Sequence, residues 1–166
     1  MKALKLIAVA FFGIASAAAG PLELQKGDVV AFVGGADLVR IQEDGRLEAA
    51  LTLRFPEATP QFRDLAWEGD TVYFQNAVRE RWRTEAFGGW PEQLRRIKAT
   101  VVIFQFGKME SFDGIGKIAQ FTEAYGKLID ELTGEGRRAI LLAPSPFEWP
   151  AARERAALAS YTEAVA

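Results

Sequence analysis

A glycine turn near the start of the chain holds the first residues at which chemistry could be expected. Residues 29–33 (VVAFV) read as a buried strand, and Gly34, Gly35, Ala36 and Asp37 follow it. In many hydrolytic α/β domains such a turn presents an oxygen nucleophile, whereas Ala36 has no reactive atom. The chain also contains no histidine. Ser-His acyl transfer needs a nucleophile and a base with a near-neutral pKa, so we do not expect it at this turn.

Two aspartates beside glycines each allow a functional and a structural interpretation. Asp37 could be a carboxylate nucleophile or the N-cap of the helix that follows, and we expect the cap because aspartate is favoured there. Asp70 follows Gly69 and has the same two interpretations. For Asp70 we expect a hydrogen bond to the first loop.

A second group of polar residues follows a later apolar run. Glu110 and Asp113, three residues apart, could bind a cation or act as acid and base. The alternative is a purely structural role, a turn in which Ser111 or Asp113 caps the next helix, and we favour it. Ser111 and Ser145 could be displaced nucleophiles. Lys108 lies three positions before Ser111, but a solvated lysine with a pKa of about 10.4 is a poor base.

Residues 73–90 combine aromatic side chains with arginines. Such groups beside a cleft can stack on sugars or clamp acidic groups. The structural alternative is a long surface loop whose aromatic residues pack against one another. For the binding interpretation we take Arg81, Trp82 and Trp90 as the ligand-binding residues and expect Trp82→Ala to abolish saturable glycan binding.

Composition excludes several classes of function. The absence of histidine and cysteine removes the usual zinc and copper ligands and any disulfide. A carboxylate site for calcium stays possible, but no EF-hand spacing is present. We expect no metal and no other cofactor. Without Lys2 and Lys5, 18 basic residues face 22 acidic ones, which argues against a nucleic-acid partner.

The first 19 residues are typical of a secretory signal peptide. Lys2 and Lys5 precede an apolar run of about ten residues, and small residues suited to cleavage follow it. The run is too short for a stable membrane span; an uncleaved anchor or a buried helix is the alternative. We therefore expect an exported protein, periplasmic or extracellular, with a single domain over residues 20–166.

The remaining pattern alternates strands with helices. Residues 29–33, 100–106 and 138–143 are continuous apolar runs that suit parallel strands covered on both faces, and 61–67 is a weaker strand. Helices are predicted over 38–53 with an interruption at Gly45, from Pro91, over 115–132, and from Pro150 onwards. This order predicts an α/β fold, a three-layer α/β/α sandwich around a parallel sheet of four or five strands.

The loops that follow the four strands begin at Gly34, Glu68, Gly107 and Pro144. Right-handed crossovers bring them to one edge of the sheet, where open α/β sheets bind ligands. We therefore expect one cleft, with Gly34, Gly35, Asp37, Gly69, Asp70, Gly107 and Glu110 around it.

Four stretches in these loops carry a family resemblance. They are residues 32–37 (FVGGAD), 63–72 (RDLAWEGDTV), 106–114 (FGKMESFDG) and 143–148 (APSPFE). With them the chain resembles the SGNH (GDSL-like) hydrolase superfamily, most closely its secreted branch in planctomycetes and verrucomicrobia. The resemblance implies a flavodoxin-like sheet and kinship with esterases that cleave acyl groups from carbohydrates or lipids. Its ligand would be a small molecule or a carbohydrate ester.

The sequence departs from the catalytic pattern of that superfamily. The nucleophile position reads Ala36, the second block keeps Gly69, and the oxyanion-hole asparagine is replaced by Met109, which cannot donate a hydrogen bond. Loss of one such donor costs about 10²–10³ in rate. The Asp-x-x-His pair, which the family carries before a closing helix, is missing. A longer reading frame with a fifth strand would explain that absence but not Ala36 or Met109.

Three hypotheses follow from these observations. The first is an exported SGNH/GDSL esterase-like protein without its nucleophile, base and oxyanion asparagine, and therefore inactive. The second is a non-catalytic module that binds a saccharide or an anion in the ancestral cleft. The third is a subunit that docks on a partner domain at an open edge of the sheet, where a fifth strand is missing.

Overall fold

Four parallel strands form the centre of the molecule. The computed structural model describes residues 22–74, 83–148 and 151–166. The strands are β1 (Val29–Gly34), β2 (Gln61–Asp64), β3 (Val101–Gln105) and β4 (Arg138–Leu141). Their order in the sheet is β2-β1-β3-β4, and every neighbouring pair is parallel. The predicted α/β fold with a parallel sheet is confirmed, and the strand order is consistent with a flavodoxin-like sandwich.

Five α-helices of the described residues cover the sheet. They are α1 (Ala36–Glu43), α2 (Arg46–Arg54), α3 (Trp90–Arg96), α4 (Ile118–Thr133) and α5 (Ala152–Val165). Residues 83–87 are also helical, and two short 3-10 helices, Glu110–Asp113 and Ile115–Lys117, precede α4. Gly45 separates α1 from α2 as predicted, in a left-handed conformation.

Alternate residues of the central strands face two separate cores, which produces the three layers. On one face Val30 and Phe32 of β1 pack with Leu38 of α1 and Leu51 of α2. On the other face Ala31 and Val33 pack with α3, α4 and α5 through a second cluster. Both central strands are almost fully buried because each is covered on both sides.

The helix predicted over 115–132 begins differently from the prediction. Residues 115–117 form a 3-10 turn, and the α-helix begins at Ile118. Its buried residues, Phe121, Tyr125, Leu128 and Leu132, recur at intervals of four and three and form its inner face. The predicted cap by Ser111 or Asp113 is wrong, since Gly114 and Lys117 hold the cap positions and neither makes a side-chain cap bond.

The two edges of the sheet are β2 and β4. Ala139 and Leu141 of β4 are exposed, Leu141 at 39 %. The hypothesis of a partner domain at an open edge stays a prediction. Among the described residues no helix is long and apolar enough to cross a membrane. The predicted signal peptide at 1–19 lies outside the described residues.

Gly35 gives a direct test of the close packing at the end of β1. A Cβ at this position would lie 2.8 Å from the backbone carbonyl oxygen of Asp70, which cannot move without shifting the loop after β2. We expect Gly35→Ala to lower the free energy of unfolding by about 1–3 kcal/mol, measured by urea denaturation.

Gly126→Ala is the matched control for that substitution. Gly126 lies inside α4, and a Cβ there would meet nothing within 4 Å. The control should raise the free energy of unfolding by up to about 1 kcal/mol, because alanine is the better helix former. Equal stability of Gly35→Ala and the unmodified protein would contradict the described approach of Asp70.

Candidate functional site

The loops after β1, β2 and β3 meet at the carboxyl edge of the sheet around a very small cavity. Its volume is about 20 Å³, and its lining comprises Gly35, Ala36, Asp37, Asp70, Gln105, Phe106, Gly107, Lys108, Met109 and Glu110. A cavity must exceed about 10–15 Å³ to hold one water molecule, so this one has no space for an acyl group. Five of the seven predicted cleft residues, together with Ala36 and Met109, therefore lie together here. Gly34 and Gly69 are not among the lining residues.

Asp37 connects three loops across the mouth of the cavity. Its Oδ1 accepts a hydrogen bond from Lys108 Nζ at 2.7 Å, and its Oδ2 accepts one from the backbone N–H of Ser145 at 2.9 Å. The helix N-cap is Gly35, without a side-chain cap bond, so the predicted capping role of Asp37 is wrong. The carboxylate is used instead to hold the loop after β4 against the loop after β3.

Lys108 is only partly exposed, and it is not placed as a base for Ser111. Its side chain is 24 % exposed, forms an ion pair with Asp37, and lies 5.2 Å from the centre of the Phe147 ring. The Ser111 hydroxyl donates to the backbone carbonyl of Lys108 at 2.7 Å, and Ser111 is buried. This geometry does not form a Ser-Lys pair.

Glu110 fastens the loops after β2 and β3 to each other. Its Oε1 accepts a hydrogen bond from the backbone N–H of Val72 at 2.9 Å, and its Oε2 accepts one from Gly107 N–H at 2.8 Å. The residue is only 2 % exposed. Burial raises the pKa of Glu110, although the two N–H donors oppose that rise, and Asp113 adds to it.

The burial of Glu110 decides between its two interpretations. A cation site or an acid-base pair would need the carboxylate to face a ligand, whereas both oxygens face backbone donors. Gly107 is held at φ +111°, a conformation that favours glycine, and its N–H is thereby committed to Glu110. One backbone donor of the turn after β3 is consequently unavailable to an oxyanion.

Asp70 forms a buried ion pair that the sequence reasoning did not anticipate. Asp70 Oδ2 accepts a hydrogen bond from Arg83 at 2.6 Å, and the two side chains are 0 % and 4 % exposed. Arg83 also donates to the carbonyl of Leu65 at 2.7 Å. Its guanidinium lies 4.7 Å from the ring centre of Trp67 and 5.9 Å from that of Trp90.

The predicted ligand-binding residues are only partly described. Trp90 is the first residue of α3, is 5 % exposed, and packs against Phe106 in the core. It therefore cannot present its ring to a ligand, and that prediction is wrong. Arg81 and Trp82 lie outside the described residues.

A larger cavity lies beside the small one, at the carboxyl end of β2. Its volume is about 350 Å³, and its lining comprises Asp64, Leu65, Ala66, Trp67, Arg83, Phe87, Gln93, Arg96 and Ile97. We call it the aromatic pocket, for Trp67 and Phe87. Phe87 is 47 % exposed. The sequence reasoning treated Trp67 only as the end of a weak strand, so it missed this cavity.

Ala36 and Met109, which the family resemblance would align with a nucleophile and an oxyanion donor, supply neither a nucleophilic atom nor a side-chain donor. Ala36 is the first residue of α1 and lines the small cavity. Met109 is 44 % exposed, and its thioether sulfur cannot donate a hydrogen bond. In the described part of the chain no three acidic residues cluster in a way that could hold a metal ion.

Comparisons with known proteins do not assign the chain to a family. No family model matches it, and no curated protein matches it significantly.

The burial of Glu110 predicts an unusual dependence of stability on pH. Because the folded-state pKa lies above the ordinary value of 4.5, the folded protein binds this proton more tightly than the unfolded chain. The contribution is complete below about pH 4.5 and is lost as the pH rises through the higher, folded-state pKa. Urea denaturation between about pH 4 and pH 7 should show the free energy of unfolding falling in this window, and Glu110→Gln should remove that component.

The control for this experiment is Glu123→Gln on α4. Glu123 is exposed, and its pKa is lowered by its hydrogen bond to Lys127, so it contributes nothing to a fall above pH 4.5. An unchanged pH profile in Glu110→Gln would contradict the assignment.

Proposed function

We propose that this chain is an SGNH/GDSL-like domain that has lost Ser-His acyl transfer and recognises a saccharide without cleaving it. The proposed loss of acyl transfer rests on the residues and the cavity at the turn after β1. Ala36 occupies the nucleophile position, and the cavity beside it, about 20 Å³, is too small for an acyl group. Export of the protein, to the periplasm or beyond, is part of this proposal and rests on the signal-peptide pattern alone.

The neighbouring charged groups support the loss of catalysis because Asp37, Lys108 and Glu110 are already paired. Asp37 holds Lys108 and the Ser145 N–H, and Glu110 holds the N–H groups of Val72 and Gly107. A serine nucleophile would need a base and free oxyanion donors at the same place. The chain has no histidine to serve as that base.

The aromatic pocket supports the proposed recognition of a saccharide. Ligand sites are concave and mostly apolar, with a few polar groups that fix orientation. Trp67 supplies a half-buried indole and Phe87 an exposed ring. Gln93 and Arg96 of α3 are the polar side chains beside them; Gln93 Nε2 donates to the Gly88 carbonyl at 2.7 Å and Arg96 donates to Glu92 at 2.8 Å. A cavity that combines aromatic rings with polar side chains suits the apolar faces and hydroxyl groups of a sugar. The volume of about 350 Å³ fits one or two sugar rings.

Restoring the serine alone should not restore hydrolysis. We expect Ala36→Ser and the unmodified protein to hydrolyse p-nitrophenyl acetate at the same background rate, since the base and the oxyanion donors are still missing. Release of p-nitrophenolate, measured by absorbance against buffer, checks this. A rate in Ala36→Ser more than about tenfold above the unmodified protein would contradict the proposal.

The proposed saccharide binding is tested by substituting two phenylalanines of similar exposure. Phe87, 47 % exposed, lines the aromatic pocket, whereas Phe74, 49 % exposed, lines a different cavity. We expect Phe87→Ala to weaken saccharide binding about tenfold and Phe74→Ala to leave it unchanged.

Isothermal titration calorimetry with xylo-, cello- and chito-oligosaccharides, and with oligogalacturonate as the acidic member, measures both variants. The proposal fails if none of these sugars binds saturably. It also fails if both substitutions weaken binding equally.

A further inference from the structure

The outer edge of β4 is open. β4 pairs with β3 on one side, and in the part of the chain that the structure describes no strand pairs with its other side. The backbone N–H groups of Arg138 and Leu142 donate to carbonyls of the preceding strand, β3 and the residue before it. Because successive residues of a strand turn their backbone groups to opposite sides, those of Ala139 and Leu141 point away from β3. Both of these residues are exposed.

The two edge strands of the sheet differ in how they are protected against pairing with another strand. Edge strands of natural proteins carry charged residues, proline or bulges that discourage such pairing. β2 has two of these features, since Pro60 precedes it and it contains Arg63 and Asp64. β4 contains one charged residue, Arg138, and its guanidinium is paired with Asp28 of the same chain. β4 is therefore the edge that a further strand can join.

A groove beside β4 leaves room for that strand. Its volume is about 740 Å³, and its lining includes Leu22, Val165 of α5 and residues 138–141. Leu141 is 39 % exposed, and Ala139, which shares its face of the sheet, is exposed as well. In strand addition, main-chain hydrogen bonds supply the affinity and alternate side chains supply the specificity. The groove offers both.

We propose that two copies of this chain join through β4, as antiparallel strands around a two-fold axis at Ile140. In this register Ala139 lies opposite Leu141 of the second copy, and Leu141 lies opposite Ala139 of the second copy. Each pair exchanges two backbone hydrogen bonds, so the register uses all the outward N–H and C=O groups of both residues. The contact is isologous and joins the two sheets into one. The inference does not depend on what the aromatic pocket binds.

Charge supports a second copy as the occupant of this edge. In the two-fold register each Arg138 lies opposite Leu142 of the other copy, so the two arginines stand at opposite ends of the pair. Residues 139–142 (AILL) carry no charge, and no like charges face each other across the axis. The competing occupant is the segment 1–21, which joins the described chain at Leu22 in the groove.

Sedimentation and amide exchange of the purified chain together test the proposal. We expect analytical ultracentrifugation to show a reversible equilibrium between one chain and two. In hydrogen exchange followed by NMR, the amides of Ala139 and Leu141 should exchange about tenfold faster or more when dilution separates the copies. The Ile140 amide, which faces β3, should stay protected throughout.

A single chain at every concentration overturns the proposal. If the amides of Ala139 and Leu141 are nevertheless protected, the edge is covered by the segment 1–21; if they exchange fast, it is uncovered. This test needs no substitution, so it does not depend on whether a variant folds.

Two double variants test the register itself. Ala139→Glu with Leu141→Lys places opposite charges in both pairs across the axis, whereas Ala139→Glu with Leu141→Glu places like charges there. Both variants change the same two exposed positions, so any effect on folding is closely matched. At low salt we expect the like-charged variant to dissociate about tenfold more readily or more. Equal dissociation constants would show that the copies meet elsewhere, which overturns the proposal.

Discussion

The buried ion pair between Asp70 and Arg83 holds the loops at the carboxyl end of the sheet together. Both side chains are almost completely buried, and breaking such a pair by removing one partner costs about 3–5 kcal/mol, because a charge is left without compensation. The pair also connects the two cavities, since Asp70 lines the small one and Arg83 lines the aromatic pocket. The stacking of Arg83 on Trp67 places that indole at the pocket wall.

The carboxylates at this edge of the sheet link neighbouring loops through hydrogen bonds. Asp37 joins the loops after β1, β3 and β4, and Glu110 joins those after β2 and β3. A catalytic site needs polar groups that are free to meet a substrate, whereas these are used within the protein. The same bonds that stabilise the carboxyl edge therefore keep its cavity small and occupy its carboxylates. The neighbouring aromatic pocket, about 350 Å³, is larger than this small cavity.

The layout of the fold could be predicted from the sequence because the apolar runs were long and continuous. Buried parallel strands such as β3 produce continuous apolar runs in the sequence. The alternation of strands with helices determines which edge of the sheet carries the loops. The partners of the site residues could not be predicted. Asp37 and Lys108 are 71 positions apart, and Glu110 binds backbone N–H groups, which any residue offers. Trp90 shows the opposite error. The sequence placed it in an irregular ligand-binding stretch, whereas it is the first residue of α3 and is buried in the core.

The central claim is that no serine of this chain acts as a nucleophile. The direct test is incubation of the purified protein with a fluorophosphonate, followed by intact-mass spectrometry. The two serines near the cleft are Ser111, buried and bonded to the Lys108 carbonyl, and Ser145, whose N–H is held by Asp37. Neither has an activating base, so the account predicts an unchanged mass. One adduct per chain, mapped to Ser111 or Ser145, would show a relocated active site and contradict it.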